Sequence, residues 1–156
     1  MIPSLKGQLA DWQYARQNTI TFLQQLTPAQ LQQPLPRQTF TTLWEQMIEM
    51  AWVQHCFMAA VATGTLNGTN WEAPHYPTKE DLLAAMATFD QEMITILENC
   101  TGNETIDWFG EEKSIFQHLS SLQSHEMMHL GQIIAFCHAL DIPIPADVTK
   151  SMHLTG

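Results

Sequence analysis

Four long runs of apolar residues at helical spacing, separated by clusters of proline, glycine and asparagine, point this chain to an all-α fold. The runs cover about 5–26, 41–63, 79–100 and 112–140, and no segment alternates apolar and polar residues over a useful strand length. In the last run Ile115, Leu119, Leu122, Leu130, Ile133, Cys137 and Leu140 form one broad stripe when each residue turns the helix by about 100°. Four such stripes bury one another best in a four-helix bundle. At 156 residues the chain has the size of one domain, 1–156, with a helical core over about 5–140 and a tail over 141–156.

The punctuation supports these boundaries. Thr27-Pro28-Ala29-Gln30 closes the first helix and can start one extra turn, and Thr39 to Thr42 offer several caps for the second helix. Residues 64–77 are more than antiparallel neighbours need, long enough to cross an end or side of the bundle between the second and third helices. Thr78 then stands before Glu80 and Asp81, a hydroxyl cap followed by acidic residues at a positive helix start. Two prolines in Asp141-Ile142-Pro143-Ile144-Pro145 stop the last helix, and the residues after them through Gly156 are expected to be mobile.

Six basic against sixteen acidic residues give a net charge of -10, a field that repels nucleic acid and anionic membranes. No apolar stretch reaches the roughly 20 residues that span a bilayer, and the N-terminus lacks a secretory apolar run. A cytoplasmic protein is the expectation. Cys56, Cys100 and Cys137 form no CxxC pair, and Cys56 and Cys137, within apolar helical runs, read as small buried hydrophobes. Trp12, Trp44 and Trp52 read as core, whereas Trp71 and Trp108 lie in connections where they can wall a pocket.

Chemistry concentrates in His125-Glu126-Met127-Met128-His129-Leu130-Gly131-Gln132. His125 and His129 are one helical turn apart and share a face, so both rings can reach one divalent ion. The spacing alone does not separate that pair from two histidines hydrogen-bonded across helices. On the helical wheel His118, His125 and His129 fall in one sector at the edge of the apolar stripe. A third ligand must come from another element, and in the apolar second helix the polar exceptions are Glu49 and His55. Glu49 shares a sector with Trp52, Val53, Cys56 and Ala60, where a carboxylate needs a partner. It is the expected third ligand, with His55 as the alternative. Two imidazoles and a carboxylate suit zinc, nickel, manganese or ferrous iron. Glu126 with His129 makes one Glu-x-x-His, but a di-iron carboxylate site needs a second, which is missing. His75, His138 and His153 read as surface residues, and there is no nucleophile elbow, phosphate-binding glycine loop or His-Glu-x-x-His helix.

With its His-x-x-x-His-x-Gly-Gln segment late in the last long helix and its long connection after the second, the chain resembles the DinB-like superfamily over about 5–140. These are metal-binding four-helix bundles that include YfiT-type and thiol-dependent S-transferase relatives. The family usually takes its third ligand, a histidine, from the second helix, and the matching position here is Glu49; mixed Glu and His sets occur among thiol-dependent relatives. Leu130 stands where many members have arginine, and Ser121 where some have another histidine. The resemblance implies a divalent metal, zinc or nickel before manganese or iron, that lowers the pKa of a bound thiol or water. A small-molecule thiol then attacks an electrophile, as in an S-transferase, or water does so in a related hydrolase. Glu126 is a candidate for orienting a metal-bound histidine. The alternative function is a non-catalytic metal- or ligand-binding bundle acting as a homodimer, in keeping with nine methionines and a strongly apolar second helix.

Overall fold

The computed structural model describes residues 1–66 and 72–154, so Trp71 lies outside the described residues. Four long helices account for most of it: α1 (Pro3–Gln25), α3 (Leu43–Thr63), α4 (Lys79–Glu98) and α5 (Ile115–Ala139), with a single turn α2 (Pro28–Leu31) after α1. The starts of α3 and α4 are where hydroxyl caps predict them, α5 is capped by Ser114, and α1 begins after Ile2 without a side-chain cap. Thr42 accepts from the Glu45 amide, and Thr78 and Ser114 form reciprocal capping boxes with Asp81 and Gln117. Lys79 donates to the carbonyls of Gln24 and Leu26, placing a cation at the negative C-terminal end of α1. α1 packs against α5 and α4, and α3 packs against the same two, so the four helices close a ring around a common interior.

That interior is two apolar clusters. One gathers Phe22, Leu23, Met47, Met50, Met86, Leu130 and Ile133; the other gathers Leu9, Trp12, Phe57, Met93, Leu97, Leu119 and Leu122. Both α3 and α4 run from the first cluster to the second, and α1 and α5 run the opposite way. Between the clusters each helix contributes polar side chains to one buried layer. Arg16 of α1, only 2 % exposed, donates from Nη2 to Gln54 Oε1 of α3 at 2.8 Å. Its Nη1 lies 3.3 Å from Glu126 Oε1 of α5 and its Nε 3.7 Å from Asp90 Oδ1 of α4. Gln54 also donates to Asp90 at 3.0 Å and Thr19 donates to Glu126 at 2.5 Å. Burial pushes the Asp90 carboxyl up, a shift that Arg16 and Gln54 only partly oppose.

Two features depart from the sequence expectation. The segment before α5 is not helical but a small sheet: β1 (Thr65–Leu66) runs parallel to β2 (Thr105–Trp108), which pairs antiparallel with β3 (Glu111–Ser114). The last helix therefore starts at Ile115 and not near residue 112. The β2–β3 turn is Phe109-Gly110, both at positive φ (54° and 92°), the conformation that suits the twist of a two-residue hairpin. Four-residue strands without strict alternation leave little period to read. The tail also folds. α5 ends through Asp141 at φ 53°, with the Ile142 amide bonded back to the Cys137 carbonyl at 2.8 Å, so it closes in a left-handed C-terminal motif before the prolines are reached. Ile142 and Val148 are then buried, the second within α6 (Ala146–Ser151), and Tyr14 donates to the Ser151 carbonyl at 2.8 Å. Two apolar anchors are what hold a segment expected to be mobile.

His118 ties the sheet to the core. Its Nδ1 accepts from the Trp108 indole at 2.8 Å, and its Nε2 lies 2.9 Å from the Phe57 carbonyl. A neutral ring protonated on Nε2 satisfies both contacts. Burial lowers its pKa, with the Phe57 bond opposing.

Two consequences are measurable by urea unfolding. Arg16→Met leaves Glu126 buried without its cation and is expected to cost about 3–5 kcal/mol, with at least half recovered when Glu126→Leu is added; a cost below about 1 kcal/mol contradicts a central role for the pair. Because the folded pKa of His118 lies below its ordinary 6.5, the unfolded ring takes up a proton first as pH falls through that value, and the native state loses stability below it. The advantage of the native protein over His118→Gln should therefore shrink between about pH 7.5 and 5.5; a constant gap removes His118 as its source.

Candidate metal centre

Helical geometry presents Glu49 and Gln46 on one turn of α3, facing His125 and His129 on successive turns of α5. The two imidazole centroids are 4.6 Å apart at 64°. His125 Nε2 is 2.9 Å from Glu49 Oε1, and His129 Nε2 is 2.9 Å from Glu49 Oε2. One carboxylate thus spans both rings, and one ligand atom from each of the three residues fits within 4.8 Å. The side chains are 21 % (Glu49), 19 % (His125) and 4 % (His129) exposed. The cluster therefore sits at the rim of the core, reachable from outside. Burial pushes the Glu49 carboxyl up, but hydrogen bonds from His125 and His129 and their positive field outweigh it, holding the group at about 2. Glu49 is ionised at neutral pH.

The donor set suits a divalent ion of the zinc, nickel, iron or manganese group. His129 also has a partner behind it, since its Nδ1 lies 3.5 Å from Gln46 Oε1. A ring that gives its Nε2 lone pair to a metal keeps its proton on Nδ1, where a carbonyl oxygen is the complementary partner. His125 Nδ1 and the Gln46 amide nitrogen are buried without hydrogen-bond partners among the described residues. On donor chemistry and convergence the three residues fit such an ion.

The other candidates lie elsewhere. His55 faces α4, between Trp52 (4.9 Å) and Phe89 (4.7 Å), with Nδ1 3.4 Å from Glu92. Glu126 is fully buried and turned toward α1, where Thr19 and Arg16 meet its carboxylate. His118 belongs to the sheet junction, and His75, His138 and His153 are exposed. Trp108 binds His118 and packs edge-on against Phe57. Cys137 is buried, which raises its thiol to about 11; Cys56 and Cys100 are half-buried. No described helix is long and apolar enough to cross a membrane.

Sequence reasoning missed Gln46 and Phe40. Gln46 had a signal, since it is one turn before Glu49 on the same face. Phe40 had none. Its ring stands edge-on to His129 with centroids 6.2 Å apart because the loop before α3 closes on itself. The Leu35 amide bonds the Thr41 carbonyl at 2.7 Å, and Pro34 bridges Thr42. Arg37, 5.6 Å over the Phe40 ring, donates to Gln132 at 3.3 Å and ties the loop to α5.

Comparison with curated protein sequences gives no match. In structure the chain is similar to a DinB-like protein from Bacillus subtilis, YjoA, with a TM-score of 0.70 at 18% identity over 89% of this chain and 95% of that one. At that identity the likeness is one of fold. The profile of the DinB superfamily matches residues 11–133, a span that holds Glu49, His125 and His129. The fold and that match together make this chain a member of the DinB superfamily.

Proposed function

We propose that the chain is a DinB-like four-helix bundle that holds one divalent metal, zinc or nickel, on Glu49, His125 and His129 and uses it to transfer a small-molecule thiol to an electrophile. The observation that carries this reading is the convergence of both Nε2 atoms on the two oxygens of one ionised, partly exposed carboxylate. The parallel course of α3 and α4 from one apolar cluster to the other supports a connection over 64–77 that crosses the length of the bundle.

A bound divalent metal supplies a lowered pKa for a coordinated thiol or water, so that the nucleophile exists near neutral pH. The residues around it have distinct tasks. Glu49 brings one negative charge to two neutral nitrogen donors, which leaves a metal site net positive and attractive to a thiolate. Gln46 fixes the His129 ring by its Nδ1 edge. Three protein ligands would leave positions for thiol and substrate, and the partial exposure of Glu49 and His125 supports access of both from solvent.

The test begins with elemental analysis of protein purified without a metal-affinity tag, before and after reconstitution. Near-stoichiometric zinc or nickel is expected. It should be lost in the His125→Ala, His129→Ala double variant and in Glu49→Ala, while Gln46→Ala should weaken affinity by about tenfold. Loaded protein should then accelerate conjugation of an electrophile by at least one biological thiol. Absence of bound metal after reconstitution defeats the proposal, and metal without conjugation by any thiol tried defeats its catalytic half.

A further inference from the structure

Beside the triad, on the α3 side, is a cavity of about 600 Å³, within the range of small-molecule sites. Its floor is the stripe Ile48, Glu49, Trp52 and Val53, which share a face of α3 at helical spacing. Its far wall is residues 38–41, including Phe40. The cavity meets the candidate metal centre at two points: Glu49 lines it, and Phe40 stands over His129.

Phe40 holds a backbone φ of 50°, a left-handed conformation that is unfavourable for a bulky residue. Such strain persists only where surrounding contacts enforce it, and it concentrates at ligand sites. Here the enforcing contacts are the Leu35–Thr41 closure and the Arg37–Gln132 tie. The conformation sets the aromatic ring between His129 and the cavity. Among the described residues the charged members of the lining are Glu45 and Glu49; Arg37, the nearby cation, is bonded to Gln132 outside it. A mainly apolar lining surface with two carboxylates disfavours an anion and leaves the hydrophobic effect as the main attraction.

We propose that this cavity binds a neutral molecule built around one aromatic or branched aliphatic group, and that Phe40 and Trp52 select for it. As the pocket of the electrophile the inference rests on the metal-centre reading; its occupancy by such a molecule does not. A polar atom on that group would face the Glu49 carboxylate, and hence the position beside the triad where chemistry is proposed.

The test uses the full chain stripped of metal by chelation, with para-fluorobenzyl alcohol and para-fluorobenzoate as probes followed by fluorine NMR. Saturable binding of the alcohol at about millimolar concentration is expected, with the benzoate at least about tenfold weaker. Phe40→Gly removes the ring while relieving the left-handed backbone, so it should fold, and Trp52→Phe trims the floor conservatively. Both should weaken the alcohol, the first by about tenfold. No saturation by the alcohol, a benzoate that binds as tightly, or variants that bind like the parent each overturn the proposal. Metal content is measured on the same samples after reloading. Alcohol binding without metal uptake would leave this site standing and remove the metal-centre reading, and metal uptake without alcohol binding would do the reverse.

Discussion

A single buried guanidinium joins the four long helices of this protein. Arg16 reaches Gln54 on α3, Asp90 on α4 and Glu126 on α5 from its own place on α1, at the level where each helix passes from one apolar cluster to the other. A buried cation must meet its partners or be expelled. That demand sets the axial position of every helix at once, which two interchangeable apolar clusters could not do. Sliding one helix by a turn would still bury leucines and methionines, but it would strand Arg16 or Glu126 in a medium that tolerates neither alone.

The same constraint positions the candidate metal centre. Glu126 lies between His125 and His129 on α5, and Gln54 lies a little more than one turn beyond Glu49 on α3. The two helices that carry the three candidate ligands are therefore the two that hydrogen-bond or ion-pair with Arg16 and Thr19 through fully buried side chains. Glu126 is part of the histidine motif in the sequence yet serves the neighbouring face of the helix: the carboxylate locks α5 to α1 while His125 and His129 face Glu49 on α3. Geometry within about half an ångström is what ligand sets require, and rigid helices pinned from behind supply it better than a loop.

How much of this was legible follows from the range of the interactions involved. The helices are local facts. Thr42, Thr78 and Ser114 cap at their own positions, and the apolar stripes repeat within each segment, so the two central helices begin within two residues of their expected starts. Glu49 and the histidine pair could be singled out because each breaks a local pattern. The hairpin could not: a Phe109-Gly110 turn lacks the Asn-Gly or Asp-Gly signal, and its strands offer too few residues for a period. Arg16 was passed over because its role depends on three other helices, and Phe40 because its place depends on a loop closure between Leu35 and Thr41. Val148 and Ile142 look like an ordinary tail until a surface exists for them to cover.

The separation between what holds the fold and what forms the site bears on how such a chain can vary. Of the three candidate ligands only His129 is buried, and Glu49 and His125 remain partly open to solvent. Exchanging a ligand type at position 49 alters donor charge at the rim without opening a cavity in the core, so it escapes the large penalties that core truncations carry. The fold shared with YjoA at 18% identity is consistent with that independence: the fold survives extensive replacement of side chains. In the proposed metal site a glutamate would then change the chemistry more than the stability. It contributes a full negative charge where a histidine would contribute none, and so lowers the net charge of any bound divalent ion and its nucleophile by one unit.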